Sequence, residues 1–285
     1  MARGSAGESV LHRHLRVIES FDAWHPFLSL SEIADAAGLA RSSAHRLVAE
    51  LEREGLLERM PDRRYRLGVR LWEFASRTPG AVGLREIARP WLSALHERVR
   101  QHVQLGVLSG RDVLYIDRLS TRDAVLNATV IGGRIPLHAS SSGLVLLAHA
   151  DGGLVADVIA RGLRTYTDRT IRTGAELRRE LRRVRDAGYA VTDGHIHPES
   201  RGIAVPVAGP DGRVHAALGI VVPNDATATH GYVELLRRAA DGIARDLAVA
   251  YRPDVDERGH GIRSLMSGSR RSLEYLESLE IDGRQ

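Results

Sequence analysis

The 285-residue sequence contains no cysteine and no lysine. Without thiols, neither a disulfide framework nor a thiolate zinc site can form. Without lysine, all 40 basic residues are arginines, a bias that GC-rich codon usage produces by itself. The chemical consequence holds whatever its origin: every cationic contact is a guanidinium, the group suited to phosphate and guanine. No apolar run approaches the roughly 18–20 residues that span a bilayer. The N-terminal "MARGSAGESV" lacks the apolar centre of a signal peptide. A cytoplasmic location away from membranes is therefore expected by elimination.

What is present fits a folded protein, with 43% hydrophobic and 27% charged residues and a length that favours two domains. The net charge of +4 and a pI near 9.8 lean towards a polyanionic partner, although solubility alone would account for them.

Residues 10–22 carry apolar side chains at helical spacing, and "SLSEIADAAG" opens a second helix on a Ser29–Glu32 capping box. A third helix fits Arg41 to Glu54, ended by Gly55. "LLERMPDRRYRLG" alternates around "PD" as a hairpin does. Residues 69–78 read as helical, "TPGAVG" (78–83) as a linker, and "LREIARPWLSALHERV" as a helix kinked or restarted at Pro90. From residue 102 the pattern changes. "HVQLGVLSG", "DVLYIDRLS" and "AVLNATVIGG" are strand-like, followed by helices near 141–149, 152–161 and 175–187. Strands near 201–208 and 213–222 and a long helix to about 250 complete an α+β plan of antiparallel sheet with flanking helices. The tail 252–285 is polar and Arg-rich, with a short helix pattern at 270–279, and is expected to be poorly ordered or to dock.

The stretch "AGLARSSAHRL" (37–47) is the most informative. In the third helix Ala44, Leu47, Val48 and Leu51 share one face. At 100° per residue the opposite face presents Ser42, Arg46 and Ala49, flanked by Arg41, Ser43 and His45, with no acid before Glu50. Small residues, hydroxyls and arginines at the positive end of a helix suit a DNA major groove. Taken alone, an ordinary solvated face would look the same. The hairpin decides for DNA, because Arg63, Arg64 and Arg66 around Tyr65 lie where a wing would straddle the backbone.

The strings "LSEIADAAGLARSSAHRLVAELEREGLLER", "YRLGVRLWEFA", "LREIARPWLSAL", "RIPLHASSSG", "RRVRDAGYAVTD" and "SRGIAVPV", in this order, resemble the IclR-type bacterial transcriptional regulators from about Val10 to Ala250. The resemblance implies a winged helix-turn-helix domain (1–77), a linker with its helix (78–99), a GAF-like effector-binding domain (100–251) and the polar tail (252–285). It implies a homodimer or homotetramer on a palindromic double-stranded DNA operator, more in the manner of a repressor, and no cofactor. Carried over by position, it places the effector at Ser141, Ser142, Thr192, Asp193, Ser200, Gly202, Gly219 and Val221. Thr192 replaces the first of a usual acidic pair, Gly202 a frequent cysteine, and Gly219 and Val221 two serines. A roomier cavity, more apolar on one wall, is expected, fit for a small organic acid or an aromatic metabolite.

"HASSSG" also has its own reading. Serines opening a helix are a donor cluster for a carboxylate or phosphate, unless they are one N-cap with two exposed neighbours. "DGHIHPE" allows a rival reading, a metal-dependent hydrolase using His195 and His197, with Asp193 and Glu199 as further ligands. Two histidines on a loop more often hold no metal. No nucleophile elbow, phosphate loop or zinc-protease helix accompanies them, and a non-enzymatic regulator is the stronger reading.

Overall fold

A computed structural model describes residues 9–22, 24–76, 79–225 and 229–250, without the side chains of 79–82. The tail 252–285 and its helix pattern at 270–279 lie outside the described residues. The chain divides into two compact units, Met1–Pro79 and Gly80–Gln285.

In the first unit, α1 (Val10–Glu19), α2 (Leu30–Ala36) and α3 (Arg41–Arg53) precede a hairpin of β1 (Leu57–Arg59) and β2 (Tyr65–Leu67), and α4 (Val69–Ser76) follows. Ser29 and Glu32 form the capping box that starts α2. Gly38, at φ +60°, turns the chain between α2 and α3, where a Cβ would lie 2.8 Å from the Arg16 guanidinium. Val17, Ile33, Leu47, Val48, Leu51 and Leu57 fill the core. Tyr65 also belongs to it, 7% exposed. Its backbone exchanges hydrogen bonds with Leu28, 3.0 Å and 2.7 Å. The expected wing tyrosine is thus the root of the hairpin, and only its arginine neighbours face outward.

The second unit starts with α5 (Pro79–Val99). The linker expected at "TPGAVG" is helical from Pro79 onward, because proline at a first helical position gives up no hydrogen bond. Pro90 lies inside the same continuous helix rather than starting a second one. The sheet comprises β3 (His102–Ser109), β4 (Asp112–Leu119), β5 (Arg134–Pro136), β6 (Ala190–Asp193), β7 (Ser200–Ala208) and β8 (Val214–Pro223). Its order is β5-β4-β3-β8-β7-β6, antiparallel throughout. Alternate side chains of β7 and β8 face opposite ways. Ile203, Val205, Leu218 and Ile220 pack under α5 and α9 (Thr229–Ala250). Ala204 and Ala217 face α6 (Ser141–Ala148), α7 (Gly152–Ala160) and α8 (Gly174–Ala187).

One expectation fails here: the strand expected from "AVLNATVIGG" is an irregular segment. The short edge strands β5 and β6 were not foreseen from the sequence. A bulge at Ile116, where the β3–β4 register slips, sends Tyr115 and Asp117 to opposite faces. Asp117, fully buried, is gripped by Arg89 at 2.6 Å and Arg85 at 3.6 Å, which ties α5 to the sheet.

Candidate functional site

In the first unit, burial separates the two faces of α3. Ala44, Leu47, Val48 and Leu51 are buried, whereas Arg41, Ser42, His45, Arg46 and Ala49 are exposed and Ser43 is half-buried. The helix begins at Ala40 without a side-chain cap, which leaves its first N–H groups available to an anion. Arg41 donates to the Ser31 hydroxyl at 2.5 Å, and Arg46 pairs with Glu50 at 2.7 Å. Both arginines are therefore held along the exposed face. In the hairpin Arg63 sits at φ +66°, Arg64 lies 3.7 Å from Glu32 and Arg66 2.7 Å from Glu58. Arg66 holds the Glu58 carboxyl below the usual range. All three guanidinium side chains remain on the exposed side of the hairpin.

In the second unit a cleft, partly open to solvent, lies between the sheet and the start of α6. Ser141, Thr192, Ser200, Gly202 and Val221 line it together. Ser140 caps α6 by accepting from the Gly143 N–H. Its neighbours Ser141 and Ser142 are 2% and 0% exposed, which removes the alternative of two solvent-facing serines. The Ser142 hydroxyl and the Tyr115 hydroxyl are buried without a hydrogen-bond partner. Burial pushes the Tyr115 phenol up, partly opposed by the nearby Ser140 and Ser142 hydroxyls. Tyr115 therefore stays neutral.

The glycines do not open the space expected of them. A Cβ on Gly202 would fall 2.6 Å from Thr192 Oγ1 and 2.9 Å from Ser141 Oγ. One on Gly219 would fall 2.9 Å from Ser142 Oγ. Hydroxyls occupy the room that the two missing side chains leave, while Val221 keeps its part of the wall apolar. Asp193 does not line the cleft. It pairs with Arg201 at 2.5 Å and faces an outer groove that includes Arg172, Arg179 and Arg183.

Sequence reasoning missed several of the lining residues. Gln104 and Tyr115 rise from β3 and β4, and Leu126, Asn127, Ala128 and Thr129 overhang from the irregular segment. Side chains fasten that segment. Gln101 accepts from the Val125 N–H at 2.9 Å, the Val125 carbonyl meets His102 at 2.5 Å, and Ser200 donates to the Leu126 carbonyl at 2.5 Å. His195 and His197 also line the cleft. Among the described residues no set of three or more His, Asp or Glu is arranged to hold a metal ion. Burial lowers the His195 pKa, and its Nδ1 is buried without a partner. The lining includes no Asp, Glu or Arg. It is a chamber of neutral donors beside a helix N-terminus.

Among the described residues no helix is long and apolar enough to cross a membrane. Residues 10–61 match the family profile "IclR helix-turn-helix domain", and residues 78–245 match "Bacterial transcriptional regulator IclR C-terminal". The chain is 30% identical over 247 residues to the HTH-type transcriptional regulator XynR of Escherichia coli, covering 85% of this chain and 97% of that protein. It is 28% identical over 187 residues to the transcriptional repressor IclR of the same species, covering 64% and 68%. Its fold matches the crystal structure of an IclR homologue from Microbacterium hydrocarbonoxydans complexed with 4-hydroxybenzoate. That match has a TM-score of 0.81 and 42% identity over 85% of this chain and 100% of the other.

Proposed function

The chain belongs to the IclR family of bacterial transcriptional regulators, which bind DNA and are not enzymes, and on that premise we propose that it is a cytoplasmic repressor released from, or locked onto, its operator by a small aromatic acid. The cleft at the start of α6 carries this reading. Buried serines and the first N–H groups of a helix favour an anionic head group, and the apolar side chains of Leu126, Ile135, Ile196 and Val221 accept a ring. The 4-hydroxybenzoate bound by the Microbacterium homologue is a molecule of that chemistry. Ser141, Ser142, Thr192, Ser200, Gly202, Gly219 and Val221 then form or back the effector site, whereas Asp193 contributes only through the outer groove. Arg41, Ser42, Ser43, His45 and Arg46 read the major groove, and Arg63, Arg64 and Arg66 hold phosphates.

A palindromic operator requires two copies of the reading head, and α4 supplies a surface for a second copy. None of its side chains is buried; Val69 and Trp72 are each 70% exposed, and Phe74 is 46% exposed. Burying such side chains between copies contributes about 25 cal/mol per Å². A thermal-shift screen over aromatic and aliphatic acids tests the effector class. Stabilisation by 4-hydroxybenzoate and not by acetate supports it; stabilisation by short aliphatic acids alone contradicts it.

A further inference from the structure

We propose that Gln104 makes this cleft select a carboxylate over an uncharged head group, an inference that rests on the effector reading of the cleft given above. Gln104 lies within β3, lines the cleft and is 2% exposed. Its neighbours fix which way its carboxamide points. The Thr129 N–H donates to Asn127 Oδ1 at 3.1 Å, so the other Asn127 side-chain atom is the nitrogen, a donor. That nitrogen donates to Gln104 Oε1 at 3.2 Å, and the Thr129 hydroxyl donates to the same oxygen at 2.7 Å. With its oxygen held twice by the overhanging segment, Gln104 can offer the cleft only the N–H donors of its amide group.

The sheet register places those donors beside others. Gln104 pairs with Gly219 across β3–β8, and the Ser142 hydroxyl stands 2.9 Å from where a Gly219 Cβ would be. Paired residues share a face of the sheet, so the Gln104 side chain rises next to Ser142 at the opening of α6. On its other side Gln104 pairs with Arg118 of β4. The Arg118 guanidinium, which does not line the cleft, meets the Thr129 carbonyl at 2.5 Å and His102 Nδ1 at 3.1 Å, and so helps to fasten the overhanging segment that holds Gln104. Amide N–H groups and hydroxyls thus gather at one end of a cleft lined by no acid. A carboxylate, which only accepts, satisfies them. A carboxamide brings N–H groups of its own to face donors.

The test titrates 4-hydroxybenzoate and 4-hydroxybenzamide calorimetrically into the full-length parent protein, Gln104→Glu and Asn127→Ala. The parent binds the acid about tenfold or more tightly than the amide. In Gln104→Glu one carboxylate oxygen takes the donations of Asn127 and Thr129 and the other turns an acceptor into the cleft, so the preference reverses. In Asn127→Ala the Gln104 carboxamide is free to turn over, so the ratio of the two affinities narrows while the thermal midpoint stays near that of the parent. A Gln104→Glu protein that keeps the parent's ratio, or loses both ligands at an unchanged thermal midpoint, overturns the inference alone. Should that variant fail to fold, an unchanged ratio in Asn127→Ala overturns it. A parent protein that binds neither compound overturns the effector reading of the cleft and this inference with it.

Discussion

Replacing Arg46 by alanine separates DNA reading from folding. The Arg46 side chain is 54% exposed and makes an i,i+4 pair with Glu50. Exposed pairs of this kind stabilise a helix by about 0.3–0.5 kcal/mol, and alanine recovers part of that through its higher helix propensity. Folding free energy should therefore change by less than about 0.5 kcal/mol. A bidentate contact from the same guanidinium to guanine is worth about 1–3 kcal/mol. At 1.4 kcal/mol per decade this is a loss of roughly 5- to 150-fold in affinity. Glu50 must release the guanidinium when DNA arrives, which pulls the expected loss towards the lower half of that range. Fluorescence anisotropy on DNA from upstream of the protein's own gene and on a scrambled duplex, beside a thermal melt, measures all three quantities. Specific affinity should fall while scrambled-duplex affinity changes about twofold or less and the melt does not move. Unchanged specific affinity would show that the exposed face of α3 does not read bases. An equal loss on both duplexes would reduce Arg46 to a phosphate contact.

Changing Arg63, Arg64 and Arg66 together to alanine should weaken all duplexes alike and flatten the log–log salt dependence by about 0.9 for each phosphate no longer neutralised; a salt slope equal to the parent's refutes a wing role. Gly202→Ala drives a methyl into Thr192 Oγ1 and Ser141 Oγ and should abolish 4-hydroxybenzoate binding while leaving ligand-free DNA affinity intact, so retained ligand affinity in calorimetry counts against the cleft. Burial lowers the pKa of His102, His138 and His195 from 6.5. The unfolded chain then binds protons near pH 6.5 that the folded chain refuses, so this part of the stability is complete above about pH 7 and is lost as pH falls below about 6.5. Calorimetric melts should show a lower midpoint at pH 5.5 than at 7.5, with a smaller difference in His102→Gln; equal midpoints at the two pH values would contradict it.

The exposed face of α3 was legible because helical stepping alone assigns sides, and Ala44, Leu47, Val48 and Leu51 leave no other stripe to bury. The α+β plan was legible in β3, β4, β7 and β8 because each is a short apolar run rich in β-branched residues and bounded by turn residues. Residues 124–133 misled because their alternation is that of a strand, whereas their backbone groups bond to side chains distant in sequence, those of Gln101, His102 and Ser200. Periodicity carries no trace of such partners. Gly202 and Gly219 misled differently. A sequence shows that a side chain is missing but not that Ser141, Thr192 and Ser142 project into the vacated space. Tyr65 looked like part of the wing because strand alternation does not say which face is buried. Gln104 had no local signal at all; its importance comes from Asn127 and Thr129, which the overhanging segment brings to it.

The central claim is that one chain joins a DNA-reading unit to an acid-sensing one, so that occupancy of the cleft alters hold on DNA. A mobility shift on DNA from upstream of the protein's own gene, with and without 4-hydroxybenzoate, tests it most directly. The expected result is a discrete complex on that DNA, resistant to excess unrelated duplex, whose midpoint moves when the acid is added and not when 4-hydroxybenzamide is added. A complex indifferent to the acid, or no preference for that DNA over unrelated duplex, contradicts it.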